Sequence, residues 1–392
     1  MMELSLDMYQ STAVGAVVLI LGVLFVRRFP VLSKLCVPVA VIGGLLSSFV
    51  LLVLHAGDVV DVTFDETFKN LSMTVFFCSI GFAASFKMLK AGGKILLVLV
   101  LLVFVLVLLQ DFLGTFMASL FGLDPKFGLA LGSISLLGGH GTAAAYGDIL
   151  VNDYGLVGAD VVAIASATFG LAIAGIIGGP LAKRLVRKHD LKPDSAELDD
   201  VKEVSVPIDN TRFLKALVLL AMCIGLGTLI MNLFDYLDIG VPTYLGALIL
   251  AIVVRNVADR AGYVLPLKEI EVFGWVCLCM FLSMALMALK LWQIVDLAAF
   301  MLVTLMIQLA LLVIFTYYVV FKATGKNYES AALVAGVTGF GMGATPNAVA
   351  NVEALMREHG PAPVAYFIVP IVGGVFLDLI NVSVLTVLLN VL

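Results

Sequence analysis

Charge is what this chain has least of. Of its 392 residues only 13% are Asp, Glu, Lys or Arg, where soluble domains carry about 25%. That deficit excludes a solvated globular domain and a basic nucleic-acid surface. Disulfide staples are missing too. Cys36, Cys78, Cys223, Cys277 and Cys279 lie in apolar stretches without a paired pattern, so they read as small buried hydrophobes. Cys277 and Cys279 would point about 200° apart on a helix, which suits neither a metal nor a redox pair. Of four histidines, His55, His189 and His359 sit in expected loops and form no metal constellation. No Ser–His pair and no aspartate dyad stands out, so hydrolytic chemistry is not expected. Gly339 and Gly341 have no preceding strand, which a nucleotide-binding loop requires. No organic cofactor is implied.

What the chain has in abundance is apolar length. It is 62% hydrophobic, with mean hydropathy +1.13: a polytopic membrane protein. Ten runs have roughly the 20 residues that a hydrocarbon core needs. They are 11–27, 35–54, 71–90, 94–121, 156–182, 213–234, 241–259, 270–290, 297–321 and 362–391. Glu3 and Asp7 precede the first run and Arg27 and Arg28 follow it, the reverse of a cleavable signal's charge order. The first run is expected to be a retained span with the N-terminus outside.

Two glycine-rich stretches do not fit that pattern. One contains Gly132-Ser133-Ile134-Ser135-Leu136-Leu137-Gly138-Gly139-His140-Gly141-Thr142-Ala143. The other contains Gly336-Val337-Thr338-Gly339-Phe340-Gly341-Met342-Gly343-Ala344-Thr345-Pro346-Asn347. Glycine weakens helices and exposes backbone polar groups. At membrane depth such backbone is tolerated only against protein or a water-filled cavity. The expectation is that 127–152 and 329–356 are re-entrant loops, the competing reading being two further spans. With the N-terminus outside and both loops re-entrant, 20 of the 23 Lys and Arg residues fall inside, all but Lys69, Lys126 and Lys290. That is the asymmetry cytoplasmic loops show.

Residues 188–210, with Pro193, Pro207 and seven acidic residues, read as a cytoplasmic linker. It divides the chain into a first repeat, 1–187, and a second, 211–392. Pro38 matches Pro242, Lys87 matches Lys290 and Thr142 matches Thr345, each 203 or 204 positions on. Five spans per half is odd, so the halves must be inverted, and the two loops then meet near the midplane. The expected fold class is an all-α membrane protein of two inverted five-helix repeats, each with one re-entrant loop.

The candidate site follows from those loops. Gly138, Gly139, His140, Gly141 and Thr142 can turn the backbone and present N–H groups to an anion, aided by a helix starting near Thr142. Gly341, Gly343, Ala344 and Thr345 repeat the design, with Thr345 as N-cap and Pro346 in the first turn. The bland alternative is that these glycines serve close packing. His140 is either a neutral hydrogen bonder or a cationic partner. Asp378, mid-span with Asn381 one turn on, offers oxygen ligands to a small cation, because an intramembrane carboxylate is a functional candidate by default. Asp111, after Gln110, is open between a functional role and marking a span's outer end. Thr168, Gly170, Gly175, Gly178 and Gly179 read as a packing face. Gly22, in the first span, is expected to tolerate valine.

Leu137 to Ala143, with Ala167-Thr168-Phe169-Gly170-Leu171 and Gly178-Gly179-Pro180, resembles the bacterial sodium/glutamate symporters. So do Gly336 to Asn351 and Phe376-Leu377-Asp378-Leu379-Ile380-Asn381. The resemblance implies sodium-coupled uptake of L-glutamate across the inner membrane by an elevator-like homodimer surrounded by lipid. It places substrate at Gly138–Thr142 and Gly341–Thr345, and makes Asn347, Asn351, Asp378 and Asn381 plausible neighbours of sodium. Alternatives are a symporter of another carboxylate such as citrate, and a gated anion channel. One departure is Ala144-Ala145-Tyr146, bulkier than the family's small-residue run.

Overall fold

The computed structural model describes residues 2–29, 38–87, 93–193, 209–236, 242–292 and 297–392. Cys36 and residues 194–208 of the expected linker lie outside them. In chain order, α1 is Met8–Arg28, α2 Val39–Ala56, α3 Thr67–Ala83 and α4 Gly93–Leu120. The first glycine-rich stretch is three pieces: α5 (Phe127–Ala130), α6 (Ser133–Leu136) and α7 (Gly139–Asn152). Then come α8 (Ala159–His189), α9 (Asn210–Tyr236), α10 (Leu245–Ala261) and α11 (Leu267–Met287). α12 runs Ala298–Ile314 and widens into a π turn, Phe315–Val320. The second glycine-rich stretch is α13 (Tyr328–Gly341) and α14 (Thr345–His359). α15 (Pro363–Ile371) continues through a π turn, Val372–Phe376, into α16 (Leu377–Val391).

Among the described residues, eight helices are long and apolar enough to cross a membrane. The runs expected at 71–90 and 241–259 are also helical, but α3 and α10 are 17 residues each, about 26 Å at 1.5 Å per residue. One feature departs from an all-α chain. Strands β1 (Met2–Leu6) and β2 (Val60–Phe64) pair in parallel, from Met2 opposite Val60 to Leu6 opposite Phe64. A parallel pair needs a crossover, and the α1–α2 hairpin supplies it. Val60-Asp61-Val62-Thr63-Phe64 alternates with the period of a strand, a signal too short to stand out beside runs four times its length. His55, His189 and His359 close helices instead of occupying loops, where partial negative charge favours them.

The chain forms two compact units that do not coincide with the sequence halves. Unit 1 takes Met1–Met88 and Val206–Gln293; unit 2 takes Leu89–Ser205 and Ile294–Leu392. Each draws one part from each half.

Unit 1 is knit by glycines at helix crossings. A Cβ on Gly22 of α1 would lie 2.0 Å from the carbonyl oxygen of Val39 on α2, and one on Gly43 would lie 2.1 Å from that of Val18. Gly22 therefore cannot be the tolerant position the sequence suggested: its neighbour is backbone, which cannot rotate away. The α9–α10 crossing repeats the contact, where a Cβ on Gly246 would lie 2.2 Å from the carbonyl oxygen of Gly227. Gly227 and Gly246 lie 205 and 203 positions after Gly22 and Gly43. Likewise Gly44 packs on Leu286 of α11, and Gly81 of α3 packs on Leu248 of α10; Leu248 lies 204 positions after Gly44, and Leu286 lies 205 after Gly81. Phe77 stacks on Tyr244 at 3.8 Å. Arg212 Nε donates to Glu269 at 2.8 Å. Of the cysteines, Cys78 and Cys223 are buried and Cys277 and Cys279 partly so, all free thiols.

Unit 2 holds both glycine-rich stretches. α8 is its central support, packing on α7, α13 and α14. The face expected to pack does so. A Cβ on Gly170 would lie 2.1 Å from the carbonyl oxygen of Met342, and one on Gly178 would lie 2.2 Å from Asn351 Nδ2. Gly179, by contrast, faces open space. Asn327 starts α13 with a capping box to Ser330, and Glu329 accepts from the N–H of Ala365 at 2.8 Å at the start of α15. Such caps satisfy amides a helix start leaves bare.

Candidate functional site

Both glycine-rich stretches are broken helices, and the breaks face one another. The first is at Gly138 and Gly139; Gly139 has φ +61°, a left-handed conformation that glycine adopts without steric cost. The second spans Met342 to Ala344, where Ala344 is extended at φ −154°, ψ 163°. A Cβ built on Gly139 would sit 3.5 Å from the carbonyl oxygen of Gly343. α7 and α14 start at these breaks without a side-chain cap. Each thus presents first-turn N–H groups and the positive end of a helix. The two starts fall at Gly139 and Thr345, not at Thr142, and Ala344 rather than Thr345 is the N-cap. Pro346 occupies the first turn, where its missing N–H costs nothing.

His140 is buried at 6% exposure, with Nε2 3.0 Å from Thr168 Oγ1. Thr168 donates its own hydrogen to the carbonyl of Ile164 at 2.9 Å, so its oxygen must accept from His140. That places a proton on Nε2 and makes His140 a brace between the first break and α8. Gly138 and Gly141 are half-buried, and Thr142 is buried. A Cβ on Gly138 would lie 2.7 Å from both Thr142 Oγ1 and Asn381 Nδ2, so Asn381 reaches the first break from α16. Tyr146 does not crowd that wall: it is fully buried and donates to the carbonyl of Val382 at 3.4 Å.

At the second break, a Cβ on Gly343 would lie 2.6 Å from the carbonyl oxygen of Gly339 and 3.1 Å from Asn347 Nδ2. One on Gly341 would meet Leu312 Cδ1 at 2.6 Å. Thr345 is half-buried, its Oγ1 2.9 Å from where Gly373 would carry a Cβ. Asn347 Nδ2 donates to the carbonyl of Leu171 at 2.7 Å, and Asn351 Nδ2 to that of Ala174 at 3.0 Å. With their nitrogens committed to α8, the oxygens of both amides stay available as ligands. Asn381 Nδ2 donates to the carbonyl of Ser133 at 3.0 Å, while its Oδ1 has no partner among the described residues. Asp378 opens α16 directly after the π turn. The four candidate cation neighbours lie on two helices, Asn347 and Asn351 on α14 and Asp378 and Asn381 on α16.

The sequence reading passed over Gln110, Ser133 and Gln308 and left Asp111 open. All four are fully buried and hydrogen-bonded around the breaks. The available signal was an amide or acid interrupting a run of Leu and Val in α4 and α12.

Residues 4–361 match the family profile described as "Sodium/glutamate symporter". The chain is 36% identical over 402 residues to a sodium/glutamate symporter of Haemophilus influenzae, covering 98% of each protein. It is 37% identical over 388 residues to one of Escherichia coli, covering 97% of this chain and 96% of the relative. By a profile match and end-to-end similarity, this chain belongs to the sodium/glutamate symporter family, a family of transporters and not of enzymes.

Proposed function

We propose that this protein couples sodium influx to uptake of L-glutamate across the bacterial cytoplasmic membrane by alternating access. The observation that carries the reading is that two uncapped helix starts, at Gly139 and Thr345, adjoin breaks that meet at Gly139 and Gly343 inside one compact unit. Glutamate's carboxylates must leave water at such a site, and the residues at the two breaks, 138–142 and 341–347, include no lysine or arginine. Compensation then comes from N–H groups at Gly139–Thr142 and at Ala344, Thr345 and Asn347, and from the two helix dipoles. Sodium, held among Asp378, Asn381, Asn347 and Asn351, offsets the charge of Asp378 and so spares glutamate's carboxylates its repulsion. Each ligand thus lowers the cost of the other.

Three further elements belong to this reading. Crossings repeated at offsets of 203 to 205 support two five-helix repeats, inverted because five is odd, with 127–152 and 329–356 as re-entrant loops. Unit 2, which holds both breaks, is the moving carrier of an elevator-like homodimer, and unit 1 its frame. Both termini lie outside and 188–210 in the cytoplasm, as the Lys and Arg distribution requires. The test is purified protein in liposomes with labelled glutamate and an inward sodium gradient. Concentrative uptake that collapses with the gradient and resists excess citrate is expected. Uptake without sodium, or displacement by citrate, would overturn the assignment.

A further inference from the structure

Adjacent residues of α4 hold both breaks at once. Gln110 Nε2 donates to the carbonyl of Gly341 at 2.8 Å, the last residue of α13 before the second break. Asp111 accepts from Ser133 N at 2.7 Å and Ser133 Oγ at 2.9 Å, at the head of α6 before the first. From α12, Gln308 Nε2 donates to the carbonyls of Gln110 at 2.7 Å and Leu131 at 3.2 Å. All four side chains are at 0% exposure. Successive residues on a helix point about 100° apart, so one turn of α4 faces both hairpins, and Gln308 braces that turn. Neither hairpin can shift against the other without stranding a buried donor or acceptor.

The chemistry argues that this grip has a purpose beyond filling space. Oε1 of Gln110 and Oε1 of Gln308 have no partner among the described residues. Leucine would fill each place without leaving an orphaned oxygen in an apolar core. What glutamine alone supplies is the amide N–H, aimed in both cases at backbone carbonyls beside the glycine-rich stretches.

We propose that Gln110, Asp111 and Gln308 are positioning residues that hold the two breaks in one register, so that a cation bound at one is felt by glutamate at the other. The proposal rests on the reading that the breaks form the transport site. Gln110→Leu, Gln308→Leu, Asp111→Leu and Asp111→Asn are compared with wild type in proteoliposomes, recording glutamate KM across sodium concentration, alongside thermal unfolding. Leu99→Ala, at a fully buried position on the same helix, controls for general loosening. The three leucine variants are expected to flatten the sodium dependence of KM by about five-fold or more. Asp111→Asn still offers an oxygen to Ser133 N–H and should retain it, as should Leu99→Ala, whatever its melting temperature.

Wild-type sodium dependence in the folded leucine variants overturns the proposal. So does an equal loss in Leu99→Ala. If Asp111→Asn behaves like Asp111→Leu, charge and not grip is what Asp111 provides, and its positioning role falls. Should Gln110→Leu not fold, Gln308→Leu and Asp111→Leu decide the matter. Gly343→Val separates this proposal from the reading beneath it. If Gly343→Val transports normally, the breaks are not the site. If it is inactive while Gln110→Leu keeps normal sodium dependence, only the register proposal fails.

Discussion

Asp378 is a half-buried carboxylate that, among the described residues, has no hydrogen-bond or ion-pair partner. In a membrane-embedded helix, a charge so placed is costly until a cation joins it. Asp378→Asn should therefore raise the sodium concentration for half-maximal uptake about ten-fold, with a much smaller change in glutamate KM at saturating sodium. An unchanged sodium activation curve would make Asp378 a structural residue. Asp378 and Asn381 were legible in the sequence because polar residues in an apolar run must be accounted for. The roles of Asn347 and Asn351 were only half legible. Their nitrogens grip carbonyls of α8, and which carbonyls a glycine-bearing helix leaves within reach is decided by how closely that helix approaches.

Among the helices, glycine proved to mean two different things. At Gly139 it permits a left-handed turn; at Gly22, Gly43, Gly227 and Gly246 it lets two backbones touch. A linear pattern does not separate these uses, which is why Gly22 looked tolerant. Gly22→Val should destabilise by about 1–3 kcal/mol or more, since overpacking against backbone finds little relief. Gly225→Val, where a Cβ meets nothing within 4 Å, should be close to neutral. Thermal unfolding of the purified variants in detergent checks the pair, and equal melting temperatures would refute the crossing as described. The breaks were readable as elements, since glycine with small hydroxylated neighbours makes a poor span. Their facing one another was not, because nothing local to either stretch encodes the other's position.

For the whole molecule, the orientation remains to be measured. With the five native cysteines replaced, Ser195→Cys should resist a membrane-impermeant thiol reagent in intact cells and react in inverted vesicles. The opposite pattern would invert the five-plus-five arrangement. Sequence alone determined that the chain is a membrane protein, where its long helices run, which two stretches break, and to which family it is similar. Those properties are local or additive: hydropathy sums along a run, and glycine acts where it stands. Tertiary structure decided that the compact units cut across the sequence halves, that Asn381 reaches the first break, and that one turn of α4 binds both broken helices. Each depends on residues about 200 to 250 positions apart meeting at contact distance, and contact between distant segments is a property of the packed chain that no single segment carries.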